Sequence, residues 1–330
     1  LRLRYSASAN LQINLRLRSA YSYLCATKNK NTMDQLNFAA IDIGSNAVRL
    51  LIKGIVAGEQ PGDLKKVFIV RVPLRLGQDS FTLGRISTVK SNKLVRLMAA
   101  FNQMMQVYNV VEYRACATSA MRDAANGAEL VKEIFDTTGI RVEIINGLEE
   151  ARIVYDSHIV DIMKQDGNFA YVDVGGGSTE ISVISNGELI QSNSYNVGTV
   201  RILNKKVIPA ELKRMYNDAR MLCEKYPGIE LIGSGGNVNK LYKLSGAKDG
   251  MPMTIDQLSE VRERLAARTV KQRMQEFDLK PDRADVIVPA ADIYLQIASR
   301  LNNPRLWVPT IGIVDGIAYT LCAEYQKGNL

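Results

Sequence analysis

Asp42 and Asp173 each stand between an apolar run and a glycine turn, in Asp42-Ile-Gly-Ser-Asn46 and Asp173-Val-Gly-Gly-Gly-Ser178. An aspartate placed there either caps its own turn or holds a hydrated Mg²⁺. A third cluster, Gly233-Ser-Gly-Gly236, follows another apolar run. Glycine lets the backbone come close to a ligand, and successive N–H groups then point into one concavity that suits phosphate oxygens. One such turn alone reads as an ordinary β-turn. Three in one chain, two of them preceded by Asp, favour the phosphate reading. Glu180 lies seven residues past Asp173, and across a hairpin that spacing can return its carboxylate to the same place. Phosphoryl chemistry needs a cation to neutralise the phosphate chain, which is what such carboxylates would hold.

Two further groups carry polar chemistry. In Asn146-Gly-Leu-Glu149-Glu150-Ala-Arg152, paired acids open a helix, which is also what a capped helix N-terminus looks like. Neighbouring residues diverge by about 100° around a helix, so one acid can face a cleft while the other caps or faces solvent. Physics alone favours the cap. In Thr118-Ser119-Ala-Met-Arg122, two hydroxyls and an arginine follow a strand. They suit phosphate, and equally a helix cap with a surface arginine. Tyr195, Asn196, Gly198, Thr199 and Arg201 form a similar cluster. His158 is the only histidine, which excludes a His-Asp metal site and leaves it a surface or packing role.

These residues need elements to hold them. Apolar alternation and periodicity predict strands at 36–43, 47–56, 67–76, 110–117, 141–145, 169–174, 180–184, 188–195, 229–232 and 305–308. They predict helices at 91–108, 126–135, 148–164, 209–226, 254–267, 285–301 and 316–325, with Thr254 a cap and Pro209 near its helix start. The Met-rich stripe of 91–108 reads as core. Alternating strands and helices imply α/β sheets. The repeated strand–turn–strand unit around Asp42 and Asp173 implies a duplicated lobe with a cleft between.

Hydrophobic residues at 46% and charged residues at 23% are ordinary for a globular chain of 330 residues, long enough for a sizeable core. No apolar run reaches the length of a transmembrane helix, so no membrane partner is expected. Four scattered cysteines, Cys25, Cys116, Cys223 and Cys322, argue against a disulfide framework and for a reducing, cytoplasmic setting. The net charge of +8 is concentrated in residues 1–33, where Arg2, Arg4, Arg16, Arg18, Lys28 and Lys30 meet no acid. That basic extension is expected to be disordered or a mis-assigned start, with Met33 the initiator. The rest of the chain is near neutral. With one tryptophan, Trp307, and no basic-aromatic interleaving, nucleic acid is not an expected partner. Arg71, Arg75, Arg85, Lys90, Lys93 and Arg96 form a basic run, read as a solvated face that can also steer a polyanion.

Taken in order, Asp42–Asn46, Ala117–Arg122, Ile144–Arg152, Asp173–Glu180 and Gly233–Gly236 resemble the motifs of the exopolyphosphatase/guanosine pentaphosphate phosphatase family, over about residues 36–325. The resemblance implies duplicated actin-like (ribonuclease H-like) lobes with an interdomain cleft: 34–157 with 312–330 as the first lobe, 158–311 as the second. It implies that Glu150 is the general base, overriding the cap reading. It implies that Asp173 and Glu180, with Asp42, hold Mg²⁺. Gly175, Gly176, Gly177, Ser178, Gly235 and Gly236 would cradle terminal phosphates, with Ser45 and Asn46. Arg122, with Thr118 or Ser119, would grip the phosphate chain. The partner would be polyphosphate or guanosine pentaphosphate, and the assembly a homodimer. Two departures stand out. The chain ends where longer relatives continue into further helical domains, so a short two-lobed form and short substrates are expected. Val314 occupies a position where many relatives carry a basic residue, which weakens a phosphate contact. The competing readings are a nucleotide- or alarmone-binding regulator with little turnover and a sugar-kinase-like phosphotransferase.

Overall fold

The computed structural model describes residues 35–56, 58–156, 166–309 and 311–328, which fall almost wholly in one compact unit, residues 36–55 and 59–330. His158, Cys25 and the basic extension 1–33 lie outside the described residues, as does the end of the helix expected at 148–164. Strands run in chain order as β1 (Gln35–Ile43), β2 (Val48–Val56), β3 (Lys65–Val72), β4 (Val110–Ala117), β5 (Val142–Ile144), β6 (Asn168–Val174), β7 (Thr179–Ser185), β8 (Glu188–Tyr195), β9 (Glu230–Ser234), β10 (Met253–Thr254) and β11 (Arg305–Trp307).

The strands form two sheets built to one plan. The first is ordered β3-β2-β1-β4-β5, and the second reads β8-β7-β6-β9-β11-β10. In the first, β2 and β3 are antiparallel while β4 lies parallel to β1 and β5. In the second, β6–β7 and β7–β8 are antiparallel while β9 lies parallel to β6 and β11. The expected duplication is therefore a repeated topology, a three-stranded meander followed by parallel crossovers, with helices covering the faces.

Burial explains why these segments became strands. Along Phe38–Ile43 every side chain is buried, as expected of a central strand covered on both faces. Ala39, Ile41 and Ile43 join a core under helix Thr88–Val107, which contributes Leu94, Met98, Phe101 and Met105. The Met-rich stripe is core, as read from sequence. On the opposite face, Phe38 and Ala40 meet Phe169 and Tyr171 of the second sheet and Ile317 and Leu321 of helix Ile313–Gln326. Val200 and Val286, from segments that follow the second meander, are buried in the core of the first sheet.

Some boundaries differ from the sequence reading. The strand expected to reach residue 76 ends at Val72, because Arg75 turns into the left-handed region at φ 52° and opens helix Leu76–Leu83. The last helix begins at Ile313 rather than at 316, because Gly312 N–H is accepted by Asp315 Oδ2 at 3.1 Å, a cap one turn earlier. The Thr254 cap forms, with Gln257 N–H donating to Thr254 Oγ1 at 3.1 Å. Helices Gly236–Ser245 and Val270–Glu276 were not read from the sequence. No described helix is long and apolar enough to cross a membrane.

Tyr294, on helix Ile287–Arg300, ties the second sheet together where the site will lie. Its hydroxyl, fully buried, sits 2.6 Å from the Ser234 carbonyl and 3.1 Å from the Val172 carbonyl. Tyr294→Phe should lower stability by about 1–3 kcal/mol, since carbonyls at the ends of β6 and β9 lose a buried donor. Thermal or urea unfolding measures this, and an unchanged midpoint would contradict the role.

Candidate active site

The site is built where the two meanders turn. Between β1 and β2, Gly44 N–H donates to the Ala47 carbonyl at 3.1 Å, and between β6 and β7, Gly175 N–H donates to the Ser178 carbonyl at 2.9 Å. The same closure is thus used twice. The third turn, after β9, passes through Gly235 at φ 106° and opens helix Gly236–Ser245. That left-handed backbone favours glycine, and a Cβ there would also approach Asp173 Oδ1 to 3.0 Å.

A cleft of about 220 Å³ lies among these turns. It is lined by Asp42, Ser45 and Asn46 from the first turn, by Thr118 and Ser119 after β4, and by Glu150. Asp173, Gly175, Gly176, Gly177, Ser178, Gly235 and Gly236 complete the opposite wall. Arg122 and Glu180 do not line it. Arg122 Nη1 donates instead to the Ile145 carbonyl at 2.8 Å. Glu180 pairs in register with Asp173 across β6 and β7, as the spacing predicted. It is 2% exposed, and its Oε1 accepts from Ser194 Oγ at 2.8 Å.

The two acids of Glu149-Glu150 diverge as helical geometry requires. Asn146 performs the capping, its Oδ1 accepting from Glu149 N–H at 2.9 Å. Glu149 turns outward, where Arg114 Nη2 donates to its Oε1 at 2.6 Å. Glu150 turns into the cleft, and its Oε2 is buried with no hydrogen-bond partner among the described residues. Buried polar atoms are normally satisfied, so an orphaned carboxylate oxygen at a cleft marks a place for a ligand or water.

Four carboxylates feel one another here. Burial, then Glu180, Asp173 and Asp42, push the Glu150 carboxyl well above the usual range, with Arg122 opposing. Burial and the Asp173 charge lift Glu180 to about 7, and burial lifts Asp173 to about 6, against the pull of Arg49. Asp42 is raised as well, its burial outweighing the ion pair that it makes with Arg49. Surplus negative charge of this kind is what a bound cation relieves. Among the described residues no three His, Cys, Asp or Glu side chains come close enough to hold a metal ion by themselves.

The positive charges of the cleft were mostly missed in the sequence. Arg49 and Arg71 face each other across β2 and β3, and both line the cleft. Arg71 Nη2 reaches across to Asp282 Oδ2 at 2.6 Å, so this member of the basic run is a cleft residue rather than part of a solvated face. Arg283 also lines the cleft beside Gly236, and burial, with Arg71 and Arg49 alongside, pulls it down to about 10. Alternation along β2 and β3 would have put Arg49 and Arg71 on one face once their register was known. Nothing local distinguishes Arg283. Of the Tyr195–Arg201 cluster, Thr199 lines the cleft and Arg201 braces the turn from behind. Arg201 Nε donates to the Gly177 carbonyl at 2.5 Å, and its guanidinium pairs with Asp123 and lies 3.9 Å from the Phe81 ring centre. Val314 lines the cleft as an apolar residue packed into the core of the C-terminal helix.

Two copies of one sheet plan meeting at glycine turns make the actin-like architecture, and solved structures with it superpose on this chain. The Aquifex aeolicus Ppx/GppA family member matches with a TM-score of 0.70 at 24% identity, covering 90% of this chain and 100% of that one. An exopolyphosphatase from Cytophaga hutchinsonii matches with a TM-score of 0.76 at 21% identity, covering 87% and 98%. Residues 55–324 match the model of the Ppx/GppA phosphatase family, and the chain belongs to that family. Similar relatives include Exopolyphosphatase 2 of Mycobacterium tuberculosis, 29% identical over 86% of this chain and 98% of that protein. A guanosine-5'-triphosphate,3'-diphosphate pyrophosphatase of Aeromonas hydrophila is 27% identical over 86% of this chain and 59% of that protein.

Two outcomes follow from the geometry. A methyl group at Gly177 would lie 2.1 Å from Ser119 Oγ and 2.5 Å from Phe81 Cζ. Gly177→Ala should therefore cost about 1–3 kcal/mol of stability and disturb the cleft, and a wild-type unfolding curve would refute the tight fit. The second concerns pH. Asp173 at about 6 and Glu180 at about 7 stand above their ordinary 3.8 and 4.5. The folded chain thus binds more protons than the unfolded one between about pH 4 and pH 7, so stability from these groups is lost as pH rises through that window. Without divalent cation, the double variant Asp173→Asn, Glu180→Gln should show a flatter decline of melting temperature over that range. Equal slopes in both proteins would count against the burial argument.

Proposed function

We propose that this chain uses water to cleave the terminal phosphate from inorganic polyphosphate or guanosine pentaphosphate. The observation that carries the reading is Glu150 Oε2, buried at the cleft with no partner among the described residues and with three other carboxylates raising its proton affinity. A carboxylate whose proton affinity is raised is a better base near neutral pH than an ordinary glutamate. The names of the relatives, exopolyphosphatase and guanosine-5'-triphosphate,3'-diphosphate pyrophosphatase, support the substrate class.

Glu150 orients a water and accepts its proton as the water oxygen bonds to the terminal phosphorus. The anhydride P–O bond breaks, leaving orthophosphate and a chain one phosphate shorter. N–H groups of the turns at Gly175–Ser178 and Gly235–Gly236, with Ser45, Asn46, Thr118 and Ser119, hold the transferring group. Arg49, Arg71 and Arg283 neutralise the phosphates that follow. Arg122, bound to the Ile145 carbonyl, acts on the Glu150 charge instead of gripping substrate. Positioning and charge neutralisation are the main sources of catalysis in such reactions.

Carboxylate oxygens suit Mg²⁺, which keeps several waters and binds through one or two carboxylates plus phosphate. The carboxylate surplus supports that cation. Asp173 and Asp42 would hold it at the cleft, with Glu180 behind. When bound, Mg²⁺ supplies positive charge to the phosphate oxygens.

The lobes are taken as 34–157 with 312–330 and 158–311. The close packing of helix Ile313–Gln326 on helix Gly147–Asp156 and on β4 supports this division. Free Cys116, Cys223 and Cys322 support a cytoplasmic setting. The homodimer rests on the family resemblance.

Glu150→Gln should cut phosphate release by about 10²–10⁴-fold without lowering the melting temperature, and EDTA should silence the wild type. Substrates for the assay are tripolyphosphate, long-chain polyphosphate and guanosine pentaphosphate. Binding without release by the wild type would leave a nucleotide or alarmone sensor and overturn the hydrolase reading.

A further inference from the structure

One polar row crosses the end of the second sheet. Ser234 on β9 stands in register with Asp173 on β6, Asp173 with Glu180 on β7, and Glu180 with Ser194 on β8. Residues directly opposite in a ladder share a face, so the two carboxylates lie side by side with a serine at each flank. The serines are used differently. Ser234 Oγ donates out of the row, to the Ile311 carbonyl at 3.4 Å. Ser194 Oγ donates along it, to Glu180 Oε1 at 2.8 Å. β8 is the edge strand of the sheet, yet it is held at this point. Arg214 Nη2 donates to the Ser194 carbonyl at 3.2 Å, and its guanidinium lies 4.5 Å from the centre of the Tyr195 ring.

Helix Gly147–Asp156, which carries Glu150, packs on β7 and β8. It meets the Ser194–Glu180 hydrogen bond with its first residue. A methyl group at Gly147 would lie 2.3 Å from Ser194 Cβ, 2.4 Å from Ser194 Oγ and 3.3 Å from Glu180 Oε1. Gly147 is buried and its backbone is not left-handed, so room rather than conformation calls for glycine here. Residues three apart share a helix face, and Glu150 stands three residues after Gly147. The base therefore projects from the same face that rests on Ser194 and Glu180. Ser194 is not among the residues that line the cleft.

We infer that Ser194 is a positioning residue for the hydrolysis: its hydroxyl aims the Glu180 carboxylate, and through Gly147 the same contact sets how close Glu150 stands to that carboxylate. The inference rests on the hydrolase reading. A glutamate side chain is long and turns about several bonds, so ordering it has a cost. One hydrogen bond fixes one carboxylate oxygen and thereby the place of the other. Misplacing a catalytic constellation by about 1 Å can cost on the order of 10²-fold in rate. A serine that only filled the space under Gly147, or only satisfied a buried acid, would affect stability and leave turnover alone.

Two variants separate the donor from the packing. Ser194→Ala removes the hydroxyl and keeps the Cβ against which Gly147 rests. Its kcat for tripolyphosphate should fall about tenfold with KM within about twofold of wild type, because Glu180 is displaced and the cleft lining is not. An unchanged kcat overturns the inference, and so does a loss carried wholly by KM. Gly147→Ala should lower both the melting temperature and kcat. Adding Ser194→Gly to it clears the two closest contacts, so most of the lost melting temperature should return while kcat stays low, since Glu180 still lacks its donor. Recovery of kcat together with melting temperature makes the contact one of packing alone and overturns the role of the hydroxyl. A melting temperature that does not recover, or a Gly147→Ala protein equal to wild type, overturns the Gly147 contact. Should Gly147→Ala fail to fold, Ser194→Ala decides by itself. A wild type that releases no phosphate refutes the hydrolase reading and this inference with it. An active wild type beside an equally active Ser194→Ala overturns the inference alone.

Discussion

The rest of the structure answers to one constraint: four carboxylates, Asp42, Glu150, Asp173 and Glu180, must stay close enough to feel one another's charge where water is scarce. Burial raises all four, and neighbouring carboxylates add to the rise in Glu150, Asp173 and Glu180. An arrangement of this kind costs stability, so it persists only where stiffer parts of the fold hold it. Here those parts are the two central strands. β1 is buried along its last six residues, and β6 is gripped by β7 on one side and β9 on the other. Asp42 and Asp173 sit at their ends and cannot move apart without disturbing the cores.

The helper groups follow from the same constraint. Arg49 takes part of the charge on Asp42, and Ser194 donates to Glu180. Arg201 holds the Gly177 carbonyl from behind, leaving the glycine turn to face the cleft. None of these relieves Glu150 at its Oε2. That oxygen is left as the one buried acceptor of the four carboxylates without a partner among the described residues, and the proposed role of Glu150 rests on it. The duplication of the sheet plan makes the arrangement possible, because each copy supplies one strand–turn–strand unit to the same cleft.

Connections between the two sheets are polar on the cleft side and apolar behind it. Asn46 Nδ2 donates to the Asp282 carbonyl at 2.9 Å, and Arg75 Nη1 to Asp285 Oδ2 at 2.6 Å. Behind them, Val200 and Val286 are buried against the first sheet. Apolar burial is nondirectional and fixes proximity, whereas charge-assisted hydrogen bonds fix orientation. The cleft thus has an apolar backing and a polar rim, and the polar rim is where its cations are found.

The sequence by itself determined the parts that depend on local pattern. Apolar runs gave most strands, and the glycine turns with their aspartates marked both halves of the site. The Asp173–Glu180 spacing implied the pairing that the β6–β7 hairpin makes. Helical divergence explained why only one of Glu149 and Glu150 can face the cleft, although local physics could not choose a base over a cap. The cap is itself local, Asn146 accepting from Glu149 N–H three residues on, and what tertiary structure added is the burial of Glu150 among other acids, on which the proposal of a base rests. Tertiary structure also decided which arginines matter. Arg49 and Arg71 meet only when β2 and β3 pair, and Arg283 comes from a segment more than two hundred residues away along the chain. Arg122 and Arg201, which looked like phosphate ligands in the sequence, bind backbone carbonyls instead. The physical reason is range. Turn chemistry and periodicity act between neighbours in sequence, whereas charge compensation acts between neighbours in space, which the chain acquires only by folding.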